Sequence, residues 1–358
     1  MILYFYFSIG KKVLGQPTPA GNRLLYNING LQAFIVTLIL LYVSIFYLNL
    51  FDASIVHQQI GPLIVVTNIA GVSFVILLYF KGKYFPTNAD TVKTGHHSFI
   101  YDMCMGLELN PRIGNFDLKL FLIARCGMIS WILVDISHAA GQYERFGGVS
   151  NSMWLVCFLH AIYVIDLLYY ESWYLETIDI MHDRLGFNLT YGVVVYVPFG
   201  YTFQTWYLSH NFVQLTEPVL YTILITGLVA YYLFRSSNNQ RRKFREKNGK
   251  INIWGKQAKY ISAEYNTVDG KKGKSLLLIS GWWGLARHFN YLADIVQSFC
   301  YCVPCGFNDV MPWFYFFFMT WLLNHRAARD NQRCKMKYGK YWDDYCKAVP
   351  YKMIPYVF

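Results

Sequence analysis

Long apolar stretches separated by shorter polar ones dominate this chain. A transmembrane helix needs about 20 predominantly apolar residues, and residues 276–283 are apolar but too short to cross a membrane alone. Two late stretches flank a turn near Asn308-Asp309 and predict a tight helical hairpin. The candidate spans are residues 30–50, 61–80, 118–140, 152–170, 191–208, 218–234, 295–307 and 311–323. The pattern predicts an all-α polytopic membrane protein with about eight transmembrane helices.

Two polar segments interrupt the apolar pattern. Residues 81–117 contain LELNPRIGNFD, whose Gly, Pro and Asn residues predict irregular structure. Residues 235–275 are basic and contain VDGKKGK, which predicts a turn between two short strands. We therefore expect three regions, which are an N-terminal transmembrane region (1–234), a basic loop (235–275) and a C-terminal region (276–358).

Composition and charge strengthen the membrane prediction. Hydrophobic residues make up 55% of the chain and charged residues only 15%, whereas soluble domains carry about 25% charged residues. Residues 235–274 hold twelve Lys and Arg against three Asp and Glu, which is +9 of the net charge of +11. Such a loop is expected on the cytosolic side. It is suited either to anionic lipid or to an anionic cofactor, and the two uses are compatible.

Ionisable side chains also occur inside the predicted spans. Arg125 and Asp135 are ten residues apart on one span, so each needs a partner from another helix. Tyr163 and Asp166 are three residues apart and share a helix face. The spacing of Asp179, His182 and Asp183 is compatible with a metal, but it lacks a third strong ligand. An interfacial polar network is favoured there, and no metal site is predicted.

Two polar motifs near the C-terminus are unusual beside lipid. The first motif, GWWGLARHFNY (281–291), offers Trp283 and Tyr291 to stack on a flat ring and Arg287 and Asn290 to bind its polar edges. The second motif, HRAARDNQRCKMKYGKYWDDY (325–345), presents a basic helical face of the kind that attracts phosphates. A basic helix lying on anionic lipid is the alternative; a cofactor site would indicate an enzyme.

These motifs resemble the signature of the integral-membrane sterol reductases, the family of sterol Δ7-, Δ14- and Δ24(28)-reductases and the lamin B receptor. The first motif is similar to the family's aromatic-Gly-x-Ala-Arg-His-x-x-Tyr pattern, and the second to its His-Arg-x-x-Arg-Asp-x-x-x-Cys-x-x-Lys-Tyr-Gly pattern. LELNPRIGNFDLKLF resembles the family's Asn-Pro-Arg-Ile-Gly loop. The resemblance extends over residues 18–358, and ESWYLETIDIMHDRLGF and INGLQAF look most like the Δ7-reductases, the 7-dehydrocholesterol reductase group.

The resemblance implies a ten-span fold in the endoplasmic reticulum membrane and NADPH in a C-terminal pocket that faces the cytosol. Because this chain begins about where the family's third span begins, we expect about eight of the ten spans in it. Region 1–234 would then carry the sterol side and region 276–358 the cofactor side. By position, the implied NADPH contacts are Arg241 (usually Lys in the family), Arg245, Leu278, Trp283, Asn290, Tyr291, Arg329, Asp330, Cys334, Lys337, Tyr338 and Tyr345.

The implied reaction, reduction of a sterol ring alkene, requires an acid, because no carbonyl accepts the electrons of the hydride. A proton must reach one alkene carbon while the hydride reaches the other, away from water. Asp330 is the first candidate acid and Tyr163 the second, with Asp166 and Glu171 as substrate-binding residues. We expect a Δ7-reductase whose partners are a sterol and the bilayer, with no nucleic acid. The alternatives are a Δ14-reductase, a non-catalytic sterol- or NADPH-binding protein, or a membrane methyltransferase.

Overall fold

The computed structural model describes residues 10–18, 21–87, 98–266 and 272–357. It is mostly helical, with four two-stranded antiparallel sheets among the described residues. The predicted all-α class is therefore too narrow. The described chain forms two compact units, Met1–Gln214 and Leu215–Phe358, and each is described by itself.

The first unit begins with a β-hairpin followed by membrane-type helices. Strand β1 pairs antiparallel with β2, so that Val13 lies opposite Tyr26. The next strands, β3 and β4, form a tight hairpin inside the predicted irregular segment, with Gly114 at a positive φ of 59°. The elements in this part are β1 Lys11–Pro17, β2 Arg23–Ile28, α1 Gly30–Phe46, α2 Ile55–Gln58, α3 Ile60–Tyr84, α4 Phe99–Met105, β3 Arg112–Ile113 and β4 Phe116–Asp117.

The rest of the first unit is helical, and two of its helices contain π-helical segments. The helix Leu118–Phe146 consists of α5 Leu118–Phe121, a π segment Leu122–Gly127 and α6 Met128–Phe146. It ends at Gly147, a left-handed cap, and the Ser150 side chain caps the next helix. The remaining elements are α7 Asn151–Tyr169, α8 Glu171–Tyr174, α9 Ile178–Met181, α10 Phe187–Tyr191, a π segment Gly192–Gly200 and α11 Phe203–His210.

The stretch predicted as a span at 191–208 is divided in the structure. Pro198 lies inside the π segment Gly192–Gly200. Proline has no N–H and its ring clashes with the preceding turn, so the regular α-helical hydrogen-bond ladder is interrupted there. A regular helix resumes only at Phe203.

The second unit combines a long helix, a β-hairpin and a helical hairpin. The strands predicted around VDGKKGK are present as β7 and β8, with Tyr260 opposite Leu278; residues 267–271 of the turn lie outside the described part. Residues 276–283, which are too short to cross a membrane alone, contain the end of β8 and the start of a short helix. The elements are α12 Glu217–Glu246, β5 Asn252–Ile253, β6 Lys256–Gln257, β7 Tyr260–Asn266, β8 Lys272–Leu278, α13 Trp282–Leu285, α14 Phe289–Cys302, α15 Phe314–Tyr338 and α16 Lys340–Ala348.

The predicted helical hairpin is confirmed as α14 and α15. The two helices pack against each other, and the segment that connects them contains two 3₁₀ turns. Helix α14 has 14 residues, which is too few to cross the hydrocarbon core alone. The charged half of α15 holds most of the second motif. This hairpin therefore brings polar motif residues to one end of the unit.

Four helices in the described part of the chain are long and apolar enough to cross a membrane, namely α3, Leu118–Phe146, α7 and α12. They coincide with four of the predicted spans. Only 17% of the apolar window of α3 is buried inside the protein, and Val65, Ile69 and Leu77 are exposed on it. A helix that exposes so much apolar surface fits a bilayer rather than water.

Candidate functional site

The first motif is fixed against α12 by hydrogen bonds from both of its tryptophans. The Trp282 backbone N–H donates to Gln240 Oε1 at 2.9 Å, and Trp283 Nε1 donates to the Ser237 carbonyl at 2.8 Å. Gly281 has a positive φ of 66° and approaches the Gln240 amide so closely that a Cβ would collide with it. Glycine is therefore required at the start of the motif.

Arg241 covers one face of Trp283. The Arg241 guanidinium carbon lies 4.5 Å from the Trp283 ring centroid, a cation–π contact. Trp283 is itself buried in a core cluster that also contains Phe244 and Leu278. Of two predicted cofactor residues, Trp283 therefore contacts Arg241 directly and Leu278 belongs to the same core cluster as Trp283. The predicted stacking of Trp283 on a ligand ring stays a prediction.

Asn290 presents an unsatisfied acceptor in the first motif. Its Nδ2 donates to Asn238 Oδ1 at 3.3 Å, whereas its buried Oδ1 has no partner among the described residues. A buried acceptor without a partner costs about 1–3 kcal/mol. Next to it, the His288 and Tyr291 rings stack at 5.1 Å with an interplanar angle of 9°. The motif therefore offers a hydrogen-bond acceptor beside a flat aromatic surface.

The C-terminal segment completes the first motif through the backbone. The Arg287 N–H donates to the Tyr351 carbonyl at 3.0 Å, and the His288 N–H donates to the Lys352 carbonyl at 2.9 Å. These two bonds bring Lys352 beside His288. Sequence reasoning did not include Lys352 among the site residues.

Charged groups from both motifs converge around His288. The pKa of His288 is lowered to about 4, mainly by burial; Asp330 opposes this shift, whereas Arg241, Arg287 and Lys352 contribute to it. Asp330 is paired with Arg333 at 2.5 Å on α15. The structure therefore places Asp330 among several cations, and His288 is a neutral ring near neutral pH.

Cys334 and Tyr345 lie close to the same charges. Burial raises the pKa of the Cys334 thiol to about 11, and that of Tyr345 to about 12, with Arg241 acting against both shifts. Tyr345 stacks on Trp342 at 4.9 Å, and Trp342 Nε1 donates to Asn331 Oδ1 at 2.9 Å. Both groups are therefore uncharged at neutral pH.

The β7–β8 hairpin supports the basic end of α15. Lys337 Nζ lies 4.1 Å from the Tyr265 ring centroid, and Tyr338 Oη donates to Ser275 Oγ at 3.3 Å. These contacts hold Lys337 and Tyr338, two predicted cofactor residues, against the strands. The other two predicted cations, Arg245 and Arg329, are exposed to solvent.

An open pocket of about 610 Å³ lies in the same unit, at the end of α12. It is lined by Lys243, Lys247, Lys250, Ile251, Asn252 and Gln257, none of which is a predicted cofactor contact. Lys243 and Lys247 are two residues beyond Arg241 and Arg245. Because two residues correspond to about 200° around a helix, this pocket and the motif cluster occupy different faces of α12.

In the first unit, Tyr163 lies beside a buried polar network. The Tyr163 and Trp131 rings are 5.8 Å apart, and Trp131 Nε1 donates to His160 Nδ1 at 3.2 Å. Asp135 Oδ2 lies 2.9 Å from the same His160 nitrogen, and Asp135 Oδ1 accepts from Thr205 Oγ1 at 2.7 Å. The prediction that Asp135 has partners on other helices is confirmed.

Arg125 also has the partner that its position requires. Its guanidinium forms an ion pair with Glu171 and donates to Asn29 Oδ1 at 2.6 Å. The other Glu171 oxygen accepts the Gly30 N–H at 2.8 Å. Both Glu171 oxygens are thus engaged inside the protein, and Asp166, the other predicted substrate residue, is buried.

The segment with Asp179, His182 and Asp183 surrounds an ammonium group. Lys119, fully buried, donates to the carbonyls of Asp179 and Asp183, each at 2.8 Å, and of Ile180 at 2.7 Å. Among the described residues no group of three His, Cys, Asp or Glu side chains is arranged to hold a metal ion. The segment forms a polar network with the lysine at its centre.

Sequence reasoning missed Asp294, a buried acid on α14 that lies three residues after the end of the first motif. It lay one residue before a predicted span and was not weighed with either the span or the motif. The signal that could have found it is the helical spacing of Asn290, Asp294, Gln297 and Ser298 on one face.

Known proteins are similar to this chain along nearly its whole length. The profile of the Ergosterol biosynthesis ERG4/ERG24 family matches residues 1–358. The chain is 46% identical to the 7-dehydrocholesterol reductase of Xenopus laevis over 346 residues, covering 96% of the chain and 73% of that relative. It is 41% identical to the Delta(14)-sterol reductase of Dictyostelium discoideum over 351 residues, covering 97% and 73%. With the Delta(14)-sterol reductase TM7SF2 of Mus musculus it shares 37% identity over 337 residues, covering 94% and 78%.

Proposed function

Because the chain belongs to the Ergosterol biosynthesis ERG4/ERG24 family, we propose that it reduces the Δ7 ring double bond of a sterol with NADPH. The chain is a sterol reductase, and therefore a membrane oxidoreductase, because its family and its named relatives are sterol reductases. The Δ7 position is supported by 46% and 44% identity to the 7-dehydrocholesterol reductases of Xenopus laevis and Danio rerio. The 7-dehydrocholesterol reductase of Arabidopsis thaliana and the Delta(14)-sterol reductase of Dictyostelium discoideum are each 41% identical.

The observation that carries the cofactor assignment is the Asn290 acceptor inside a cationic and aromatic cluster. Its buried Oδ1, which lacks a partner in the described chain, fits the amide N–H of a nicotinamide. The guanidinium and ammonium groups of Arg241, Arg287 and Lys337 fit phosphate groups. The residues present therefore fit NADPH, which would supply the hydride when bound.

The remaining proposed contacts surround these groups. Trp283 contacts Arg241, Leu278 lies in the same cluster as Trp283, and Tyr291 offers its ring. Arg245 and Arg329 would reach the cofactor from solvent. The second motif would add the uncharged thiol of Cys334 and the aromatic rings of Tyr338 and Tyr345, which would line the cofactor site. The basic loop supports a cytosolic orientation of this site in the endoplasmic reticulum membrane.

Two residues are proposed for the acid chemistry on the basis of position. Asp330 is ion-paired with Arg333 and lies near the charged groups around His288. We propose that Asp330 acts as the acid or as the relay that supplies the proton, and that it also orients the cations near His288. Tyr163, beside the Asp135–His160 network, remains the second proposed proton donor, and sterol would enter from the bilayer toward region 1–234.

The test is turnover in membranes that contain the protein. We expect loss of the 5,7-diene ultraviolet absorbance with NADPH, together with identification of the 5-ene product. A diene that stays intact while a Δ14-sterol is consumed would reassign the substrate to the second candidate, which the 41% identity to a Delta(14)-sterol reductase favours. Binding of sterol and NADPH with no turnover of either substrate would support a non-catalytic role.

The cofactor site has its own test. Asn290→Leu should weaken NADPH binding about tenfold, because it removes one hydrogen bond worth about 1–1.5 kcal/mol. Asn324→Leu is the matched control, since the Asn324 side chain only donates to the Thr320 carbonyl within α15. Equal weakening by both substitutions, measured by titration of purified protein with NADPH, would argue against Asn290 as a contact.

A further inference from the structure

Helix α14 carries a row of polar side chains that continues from the first motif into the interior of the second unit. Asn290, Asp294, Gln297 and Ser298 are spaced i, i+4, i+7 and i+8, so they share one face of the helix. We call them the polar face of α14. At 1.5 Å per residue, Asp294 lies about 6 Å further along the helix than Asn290.

This polar face is buried rather than solvated. The exposed fractions of Asp294, Gln297 and Ser298 are 7%, 3% and 0%. The Ser298 hydroxyl is used locally, as it donates to the Asp294 carbonyl at 2.9 Å. Gln297 Nε2, in contrast, is buried and has no partner among the described residues. Buried polar groups are costly unless they bind something, so this face points to a function.

The Asp294 carboxyl differs from that of Asp330 in its surroundings. Burial raises the pKa of Asp294 to about 7, and the Arg326 guanidinium on α15 opposes that shift. A carboxyl of this kind carries a proton near neutral pH and can release it. Asp330, in contrast, is ion-paired with Arg333 at 2.5 Å.

We propose that Asp294 is a catalytic acid of the sterol reduction and donates its proton to one carbon of the ring alkene. The O–H bond of the carboxyl breaks as the new C–H bond forms, and the positive charge left on the other alkene carbon is the acceptor for the hydride. The Asp294 carboxylate that remains lies near the positive charge of Arg326 and regains its proton from water. The inference rests on the proposed reductase function, since it names the proton source of that reaction.

The location of Asp294 suits this role. It follows the residues proposed to hold the cofactor by about one helical turn, and it lies away from solvent, where a carbocation would otherwise capture water. Gln297, next on the same face, has its unsatisfied donor available to bind an oxygen or to orient the carboxyl.

The decisive variants are Asp294→Asn, which cannot donate a proton, and Asp294→Glu, which can. Asp309→Asn is the control, because Asp309 is exposed outside both motifs and its side chain accepts the Met311 N–H at 2.9 Å, a bond that asparagine can also make. General acids contribute about 10²–10⁴-fold to rate, so Asp294→Asn should lower kcat by at least about 10²-fold. We expect partial activity in Asp294→Glu and normal activity in the control.

Two readouts separate catalysis from folding or cofactor binding. NADPH affinity, measured by titration, should change less than about threefold in Asp294→Asn, which corresponds to under 1 kcal/mol. Infrared spectra of the protein without cofactor or sterol should show a buried protonated carboxyl band near neutral pH, lost in Asp294→Asn and retained in the control. Wild-type kcat should fall as pH rises above about 7. The kcat of Asp294→Glu should also fall as pH rises.

The outcomes are distinct. An active wild type combined with an active Asp294→Asn that keeps the same pH limb overturns this inference and leaves the reductase function standing. If Asp294→Asn loses NADPH binding in parallel with activity, Asp294 has a structural role and the inference is overturned. The same conclusion follows if Asp294→Glu is as inactive as Asp294→Asn and the wild type shows no carboxyl band. A wild type that reduces no sterol removes the proposed function and this inference with it.

Discussion

The buried ion pair between Arg125 and Glu171 gives a sharp test of how the first unit is held together. Glu171 is fully buried, and its two oxygens accept from Arg125 and from the Gly30 N–H. Glu171→Ala would leave a largely buried guanidinium without its counter-charge and the Gly30 N–H without an acceptor. Breaking a buried pair from one side typically costs about 3–5 kcal/mol, and we expect about 4 kcal/mol here.

Companion variants divide this cost between charge and hydrogen bonding. Glu171→Gln keeps an acceptor for the Gly30 N–H at 2.8 Å but removes the charge, so we expect a loss of about 2 kcal/mol. The double variant Arg125→Leu with Glu171→Leu removes both charges. Since no uncompensated ion remains, it should be less destabilised than the sum of its single variants by about 2–3 kcal/mol.

Unfolding of the detergent-solubilised protein, followed by tryptophan fluorescence, measures these differences. At about 2 °C per kcal/mol for a chain of this size, Glu171→Ala should lower Tm by roughly 8 °C. Strictly additive single and double variants would refute the direct coupling. An unchanged Tm combined with a raised KM for sterol would instead support the substrate-binding role predicted for Glu171 from the sequence.

Two further predictions concern the second unit. Gly281→Ala should weaken NADPH binding and lower Tm, because a Cβ at a φ of 66° collides with the Gln240 amide; Gly148→Ala, which meets nothing within 4 Å, should be silent in both titration and unfolding. Burial raises the folded-state pKa of Asp294 from 3.8 to about 7, so the native protein holds this proton more tightly than the unfolded chain. Stability from this group is therefore lost as pH rises from about 4 to 7, by up to about 4 kcal/mol. Asp294→Asn should flatten that slope in unfolding measurements, and an unaltered slope would contradict the assignment.

The sequence predicted those features that depend on local pattern. The isolation of Arg125 and Asp135 in one apolar helix was enough to predict partners on other helices, since a lone charge there is costly. The identity of those partners, Glu171 and His160, was not predictable from spacing, because it depends on how the helices pack. The two C-terminal motifs were recognisable for a similar local reason, namely dense polar and aromatic residues beside apolar stretches.

Other features depended on competing local signals. The run Leu276-Leu277-Leu278-Ile279 is too short for periodicity to separate a strand from a buried helix, and pairing with β7 settles it as a strand. Asp294 was overlooked because a single acid at the edge of an apolar stretch looks like a span boundary. Only the packing of α14 shows that this carboxyl is inside the protein.

The backbone bonds from Arg287 to Tyr351 and from His288 to Lys352 also bear on the order in which the protein is made. The first motif leaves the ribosome well before its partner segment exists, and at about 5–20 residues per second the delay between residues 288 and 352 is roughly 3–13 s. During that interval α12 and the β7–β8 hairpin are already synthesised, but the His288 N–H has no carbonyl to receive it. The nascent chain can therefore insert its earlier helices first and form these two backbone bonds only after Lys352 has been synthesised.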